Sequence, residues 1–450
     1  MRTFIVILLA ILFVTACQPA SSPTSTIIPS KSIATAQLIV TSTPKSVTKI
    51  KTSFTEGDRI LYLDSGTVKV GIDKFWGGAI SEIWYQEENM VNNFDGGRLI
   101  GVSFYDSNMP PASSNPNDTG WNPTPSDMYS HTNQPLEYSF SDNTLYLKTR
   151  YIQWYPNDKG GGQGKSIPTD IIVETWIEFL NQPETIHLKY KVTNEGNESH
   201  GIANQEFPFA YVRTPFNRFV SYTGNAPWTN DNIQEKEIAL NQSTSGKVVA
   251  SENWSGLVNA DDIGLVLWAP QTYRSFSYSY FNNPGEPENP TFYLLPNTLL
   301  DLNAGASYET NVFLFASKWQ DARAQIYTLR NAMSFPDIMP CFGTVDSPVR
   351  NAFLSGTVDI AGWAIDNTHV AKIEIIVDGN TIGKAEYGEA RLDVAKDYPG
   401  IDGAPNFGFV YHLDTTSVTN GSHTVEVMAT DTTGNTSLLI PGKITIDVNN

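Results

Sequence analysis

Three clusters in the sequence carry side chains able to do chemistry. Asp95-Gly96-Gly97-Arg98 sets a carboxylate and a guanidinium at the two ends of a double glycine. Glycines let the backbone pack close or take positive φ, and the rigid donor fork of Arg beside a carboxylate can grip a polyhydroxylated ligand. The plainer reading of the same residues is an Asp-Gly turn with a structural ion pair. In Asn204-Gln205-Glu206-Phe207-Pro208-Phe209 a carboxylate leads into an apolar run. Beside Phe207 and Phe209 its pKa would rise, which suits a general base, and His200 or His131 could supply the acid. A structural Glu206 bonded to loop backbone is the alternative. The third cluster is a set of tryptophans in polar surroundings: Trp121, Trp154, Trp228 and Trp254. An indole can stack on the apolar face of a pyranose while Asn, Asp and Arg take its hydroxyls. Equally, each could plug the end of a sandwich.

A fourth pair looks catalytic and is not read so. Glu174 and Glu178 share one face of the run Asp170–Leu180, which turns at residues 181–184 into Ile186–Thr193. Pairing about that turn sets Glu178 opposite His187, Trp176 opposite Lys189 and Glu174 opposite Lys191. Four positions along a strand span about 13 Å, beyond the roughly 5–10 Å that two glycosidase carboxylates use. The face reads as solvated and charge-paired.

The elements that must hold these residues are strands. Apolar alternation recurs at 67–72, 80–84, 136–140, 144–150, 170–180, 186–193, 264–268, 292–295 and 308–315, with Asp-Gly, Asn-Pro and Pro-Gly turns between. Such a pattern predicts a large antiparallel sandwich. One helix is predicted, over Trp319–Met333, with Ala322, Ile326, Leu329 and Met333 on a 3–4 spacing. After Pro336-Asp337-Ile338-Met339-Pro340, about seven further short strands predict a second β-sandwich with Ile360 and Trp363 in its core. The fold class is therefore all-β, a large supersandwich plus a smaller sandwich.

The amino terminus speaks to location. Met1-Arg2 precedes an apolar stretch, Phe4–Val14, too short for an ordinary membrane span and suited to a secretory signal. Val14-Thr15-Ala16-Cys17 closes it and resembles the lipobox of bacterial lipoproteins. That resemblance implies cleavage before Cys17 and a lipid on its thiol, hence a cell-surface or periplasmic protein held to a membrane by lipid alone. Residues 17–53, rich in Ser, Thr and Pro, read as an extended tether. The expected divisions are then 1–16 leader, 17–53 tether, 54–336 large sandwich and 337–450 small one.

Composition narrows the partners. Among 450 residues, 47 acidic against 29 basic give a net charge of −18, which argues against nucleic acid, whose phosphates need Lys and Arg. With two cysteines, and Cys17 lipidated, Cys341 stands alone and no intramolecular disulfide forms. No CxxC, HExxH or P-loop is present, so the sequence implies neither cofactor nor metal.

Two further resemblances rest on short motifs. Gly77-Gly78-Ala79-Ile80-Ser81-Glu82-Ile83, Asn92-Asn93-Phe94-Asp95-Gly96-Gly97-Arg98 and Gln205-Glu206 resemble the galactose-mutarotase-like supersandwich of aldose epimerases and other carbohydrate-active enzymes. Gly362-Trp363-Ala364-Ile365-Asp366, Val377-Asp378-Gly379 and Asn420-Gly421-Ser422-His423-Thr424 resemble bacterial immunoglobulin-like domains. The first likeness implies carbohydrate recognition. That family pairs a catalytic His within the sheet with a Glu far downstream, whereas here His200 lies just ahead of Glu206. The expectation is a surface lipoprotein that binds an extracellular glycan, with Glu206 and His200 as catalytic candidates and modification of the glycan left open. Ligand contacts would come from Asp95, Arg98, Trp121, Trp154, Trp228 and Trp254. A non-catalytic structural or adhesive protein is the alternative.

Overall fold

Strand alternation carries directly into the tertiary structure. In Pro168–Phe179, Val173, Ile177 and Phe179 are buried, and Glu174, Trp176 and Glu178 occupy the other face. The strand pairs antiparallel with Thr185–Asn194, setting Glu178 against His187, Trp176 against Lys189 and Glu174 against Lys191. This is the register expected from the turn. The computed structural model describes residues 47–106, 109, 111, 114, 118–156, 164–240, 243–281, 290–398 and 401–450. The leader, Cys17 and the tether through residue 46 lie outside the described residues.

Two antiparallel ten-stranded sheets form the large domain. The first runs, edge to edge, through Ser53–Glu56, Ile60–Asp64, Val68–Asp73, Ala79–Tyr85, Ile100–Ser103, Ala203–Arg213, Thr291–Leu300, Ser275–Phe281 and Thr244–Val249, with Glu88–Asn89 beside the fourth. The second contains Trp254–Val258, Ile263–Trp268, Ser307–Lys318, Thr185–Asn194, Pro168–Phe179 and Thr144–Gln153 in that order, with shorter strands outside them. Their facing residues, among them Val70, Val102 and Phe292 from the first and Val173, Leu188 and Leu265 from the second, make one apolar core. Burial of each such side chain is worth about 1.5–3 kcal/mol, so register is tightly specified: a one-residue slip would turn the apolar set outward.

The helix lies at Trp319–Ala332, where its periodicity placed it. Ala322, Ile326 and Leu329 pack on Val220, Val266 and Trp268, which project from the second sheet away from the shared core. Arg323 is buried on the same helix face, a position the apolar spacing did not mark.

Two expectations need correction. Residues 47–53 are not tether: the Thr48 carbonyl accepts from Asn181 N and Ile50 N donates to Phe179 O, so the chain extends the second sheet before its first strand. Nor is Trp363 in the core of the C-terminal domain. That domain has nine strands between Phe342 and Val448, around a core of Val345, Ile360, Ile375, Val427 and Ile446. Residues three apart on a strand face opposite ways. Ile360 therefore points inward, while Trp363 meets Phe342 and Tyr398 edge-on or tilted and packs on the large domain's core. The two domains are joined there. Met339 and Phe407 enter the large core, Gln271 Nε2 donates to Pro336 O at 2.7 Å, and Tyr273 Oη donates to Pro340 O.

Candidate functional site

A bulge decides which residues meet. In Ala203–Arg213, Glu206 pairs with Asn297 and Ala210 with Leu294, so four steps on this strand oppose three on its neighbour. The extra residue falls at Phe207-Pro208-Phe209, where Pro could not have donated to a ladder in any case. Before the bulge Glu206 faces away from the shared core. After it, Ala210 and Val212 point into that core and Phe209 and Tyr211 point out. Glu206, Phe209 and Tyr211 thus share one face, and Phe207 turns inward against Phe104.

Neighbouring strands supply the rest by simple alternation. Val102 and Phe104 enter the core, which leaves Ser103 and Tyr105 on the outer face. Tyr293 does the same between Phe292 and Leu294. Together with the loop at 118–128 these residues enclose a cavity of about 560 Å³. Asp95, Arg98, Trp154 and Glu206 all line it.

The floor of the cavity is a carboxyl among hydroxyls. Tyr105 Oη donates to Glu206 Oε1 at 2.9 Å, and Tyr293 and Ser103 also hydrogen-bond the same carboxyl. Burial pushes Glu206 above the ordinary carboxylate range, against the hydrogen bonds from Tyr293, Tyr105 and Ser103 that draw it back. Burial, then the nearby Glu206 charge, drives Tyr105 and Tyr293 well up as well. At neutral pH these phenols are therefore O–H groups that both donate and accept.

One wall is the glycine corner. Gly97 N donates to Asp95 Oδ1 at 3.0 Å and Arg98 Nε lies 3.4 Å from Asp95 Oδ2. A Cβ at Gly96 would sit 2.4 Å from Ser126 Oγ, and one at Gly97 would sit 2.7 Å from Trp154 Cη2. Both glycines are thus required by close approach, and the second brings the indole onto the backbone. The Arg98 guanidinium lies 5.0 Å over the ring of Phe94, which is 59% exposed at the surface.

The other sequence candidates lie elsewhere. His200 is buried, its Nδ1 2.7 Å from Asp106 Oδ2, and Trp121 stacks on its ring at 3.6 Å. Neither residue lines the cavity, so the structure does not bring His200 or Trp121 together with Glu206 there. His131 is also off the wall, held by Asp127 at 2.6 Å. Trp254 is not in a loop but begins a strand and is fully buried. Its Nε1 donates to Glu252 Oε2 at 2.8 Å, and Trp228 N donates to Glu252 Oε1 at the same distance. These two tryptophans, Trp254 fully and Trp228 partly buried, belong to a charge-paired cluster packed against the helix. Arg323 grips Glu252 with two bonds of 2.9 Å, and Tyr327 Oη adds a third at 2.6 Å.

An open groove of about 650 Å³ follows the outer face of the second sheet around Glu174, Trp176 and Glu178. Its central side chains are occupied. Glu178 takes Lys49, Thr144 and His187 at 2.7, 2.8 and 3.0 Å, and Lys189 covers Trp176 at 5.0 Å. The sequence missed Ser103, Tyr105, Tyr211 and Tyr293 as cavity residues. The period-2 alternation of Ser103 and Tyr105 against Val102 and Phe104 was the available signal for two of them.

Comparison with known proteins divides the chain in two. Residues 343–427 match the family model of the bacterial Ig domain. No curated protein matches the chain in sequence. Over about 60% of its length the chain is similar in structure to galactose-mutarotase-like proteins. A putative aldose 1-epimerase from Escherichia coli K12 is 14% identical with a TM-score of 0.35, over 58% of this chain and 99% of that one. A galactose mutarotase-like protein from Lactobacillus casei is 10% identical at 0.35, over 59% and 99%. A putative mutarotase from Salmonella typhimurium is 11% identical at 0.36, over 59% and 94%.

Proposed function

We propose that the large β-domain binds a saccharide in the cavity between Glu206 and the Asp95–Arg98 corner, and that Cys17 carries the lipid holding the protein at a cell surface. The observation that supports sugar binding most directly is the composition of that cavity. Apolar ring surface from Trp154, Phe209 and Phe281 stands beside the hydroxyls of Tyr105 and Ser103, the Glu206 carboxyl and the Arg98 fork. Sugars present the same mixture, C–H faces edged with hydroxyls that each donate and accept. The volume lies within the range of about 300–1,000 Å³ common for small-ligand sites. Proton transfer, where it occurs, falls to Glu206, the cavity carboxyl whose pKa is raised. Lipid attachment is supported by the Val14–Cys17 sequence.

A glycan array with the folded body, residues 47–450, tests the sugar reading. Binding to at least one saccharide is expected, weakened tenfold or more by Arg98→Ala or Trp154→Ala and unchanged by Trp176→Ala on the outer face. Any hit would then be assayed for reducing-end release and anomer exchange, where Glu206→Gln should abolish turnover while leaving binding measurable. A flat array, or binding indifferent to Arg98, would overturn the assignment and favour an adhesive or structural protein. For the anchor, metabolic labelling with a fatty-acid probe should mark the wild-type chain and not Cys17→Ser.

A further inference from the structure

Where the chain passes from the helix into the C-terminal domain, three loops bring acidic residues together. Asp337 comes from the linker, Asp366 follows the strand Thr357–Ile365, and Asp431 ends the strand Gly421–Asp431. One oxygen from each lies within 4.8 Å of the others. Asp366 and Asp431 are each 2% exposed. Among the described residues no Lys, Arg or His forms an ion pair with any of the three; Arg274 and Arg391 pair with other carboxylates, Asp402 and Asp346.

Two buried oxygens at this point also have no hydrogen-bond donor. Asp366 Oδ1 accepts from Thr368 N at 2.8 Å, Thr368 Oγ1 at 2.7 Å and His369 N at 3.1 Å, yet Oδ2 accepts nothing. Asn367 Nδ2 donates to Asp337 Oδ1 at 2.9 Å, which fixes its amide at the cluster, and its Oδ1 is likewise buried without a donor. Each such oxygen carries the desolvation penalty of an unmade hydrogen bond, and three carboxylates that face one another repel besides. A cation removes both penalties at once.

The donor set selects the kind of cation. All candidate ligands are oxygens, which suits a hard ion. Calcium takes six to eight oxygens at about 2.3–2.6 Å, so ligands on opposite sides stand up to about 5 Å apart, which accommodates oxygens lying within 4.8 Å of one another. Magnesium holds its ligands at about 2.0–2.1 Å and keeps several waters, a poorer match to buried protein oxygens. We propose that Asp337, Asp366 and Asp431, with Asn367 Oδ1, bind one calcium ion that fastens the linker to the C-terminal domain.

Titration calorimetry of chelator-treated protein with calcium chloride tests this directly. One ion per chain is expected, with a Kd at or below about 1 mM, as for extracellular calcium modules. Saturating calcium should raise the melting temperature by several degrees. Asp366→Asn should fold at least as well as wild type in chelator, because one of three like charges is gone, and should lose affinity tenfold or more. Asp337→Asn provides the same readout from the linker, and Asp346→Asn should respond as wild type does. Absence of heat and of thermal shift in the wild type, or full retention of both in Asp366→Asn and Asp337→Asn, would overturn the site. An equal response to magnesium would overturn the choice of calcium.

Discussion

Glu206, half-buried on the cavity floor, and Glu252, fully buried, are two carboxylates of the same domain that each accept from a tyrosine hydroxyl, and their acidities move in opposite directions. Burial raises Glu206, and hydroxyl donors alone do not reverse it. Burial would raise Glu252 too, but the bidentate Arg323, with Tyr327, Trp254 and the Trp228 amide, brings it below its ordinary value. The lesson is that a cation, not depth, decides whether a buried carboxyl is a fixed charge or a proton carrier. The charge-paired cluster secures the helix to the second sheet. Glu206, held by hydroxyls and no cation, looks into a cavity, where a ligand can reach its carboxyl.

The largest expected effect is on the charge-paired cluster. Arg323→Ala leaves Glu252 charged and unpaired in the interior, and should lower unfolding stability by about 3–5 kcal/mol, read as a shift of the urea midpoint. Glu206→Gln keeps the hydroxyl contacts and should shift the same midpoint by less than about 1 kcal/mol. Similar losses at both positions would show that the two carboxylates do not differ in this way.

A third carboxylate sharpens it through pH. Glu178 is held down to about 2: burial opposes this, and the bonds from His187, Lys49 and Thr144 prevail. Its folded value lies below its ordinary 4.5, so its contribution is present above that pH and is lost as pH falls toward 2. Glu206, raised on folding, has the reverse sign. Its contribution is present below the unfolded value and is lost as pH rises through the folded one. Urea midpoints against pH should show Glu178→Gln flattening the acid limb by up to about 3 kcal/mol, while Glu206→Gln removes a slope of opposite sign.

Smaller effects concern the cavity wall and the solvated face. Gly97→Ala drives a methyl into Trp154 and should cost about 1–3 kcal/mol of stability, together with most of the affinity for any sugar found on the array. Unchanged affinity would separate the indole from the site. Lys191→Ala, which removes the exposed partner of Glu174 at 3.4 Å, should change stability by no more than about 1 kcal/mol.

Much of the fold was legible because its signal is local. Each of the nine runs read as strands is a strand, and the helix face carrying Ala322, Ile326 and Leu329 is buried as its spacing required. Side chains on a pleated ladder alternate whatever the rest of the chain does, so the Glu178–His187 register followed from the turn alone. Of the candidate site, the Asp95–Arg98 corner, Glu206 and Trp154 converge on one cavity, while His200, Trp121, Trp228 and Trp254 do not. All four tryptophans looked alike in sequence because polar neighbours do not reveal which way an indole turns.

Local pattern is enough to specify the elements: period-2 strands, the amphipathic helix at Trp319–Ala332, the glycine corner and the acidic excess of the chain. Which residues those elements bring together depends on packing in three dimensions. The bulge at Phe207–Phe209 sets Glu206 on the same face as Phe209 and Tyr211; Pro208 marks where a ladder must break, but the one-residue offset is set by pairing with Asn297 and Leu294. The pairing of Glu252 with Arg323, seventy-one positions apart, and the meeting of Asp337, Asp366 and Asp431 arise in the same way. Charge and hydrogen bonding act over a few ångströms of space, and the chain separates such neighbours by whole sheets.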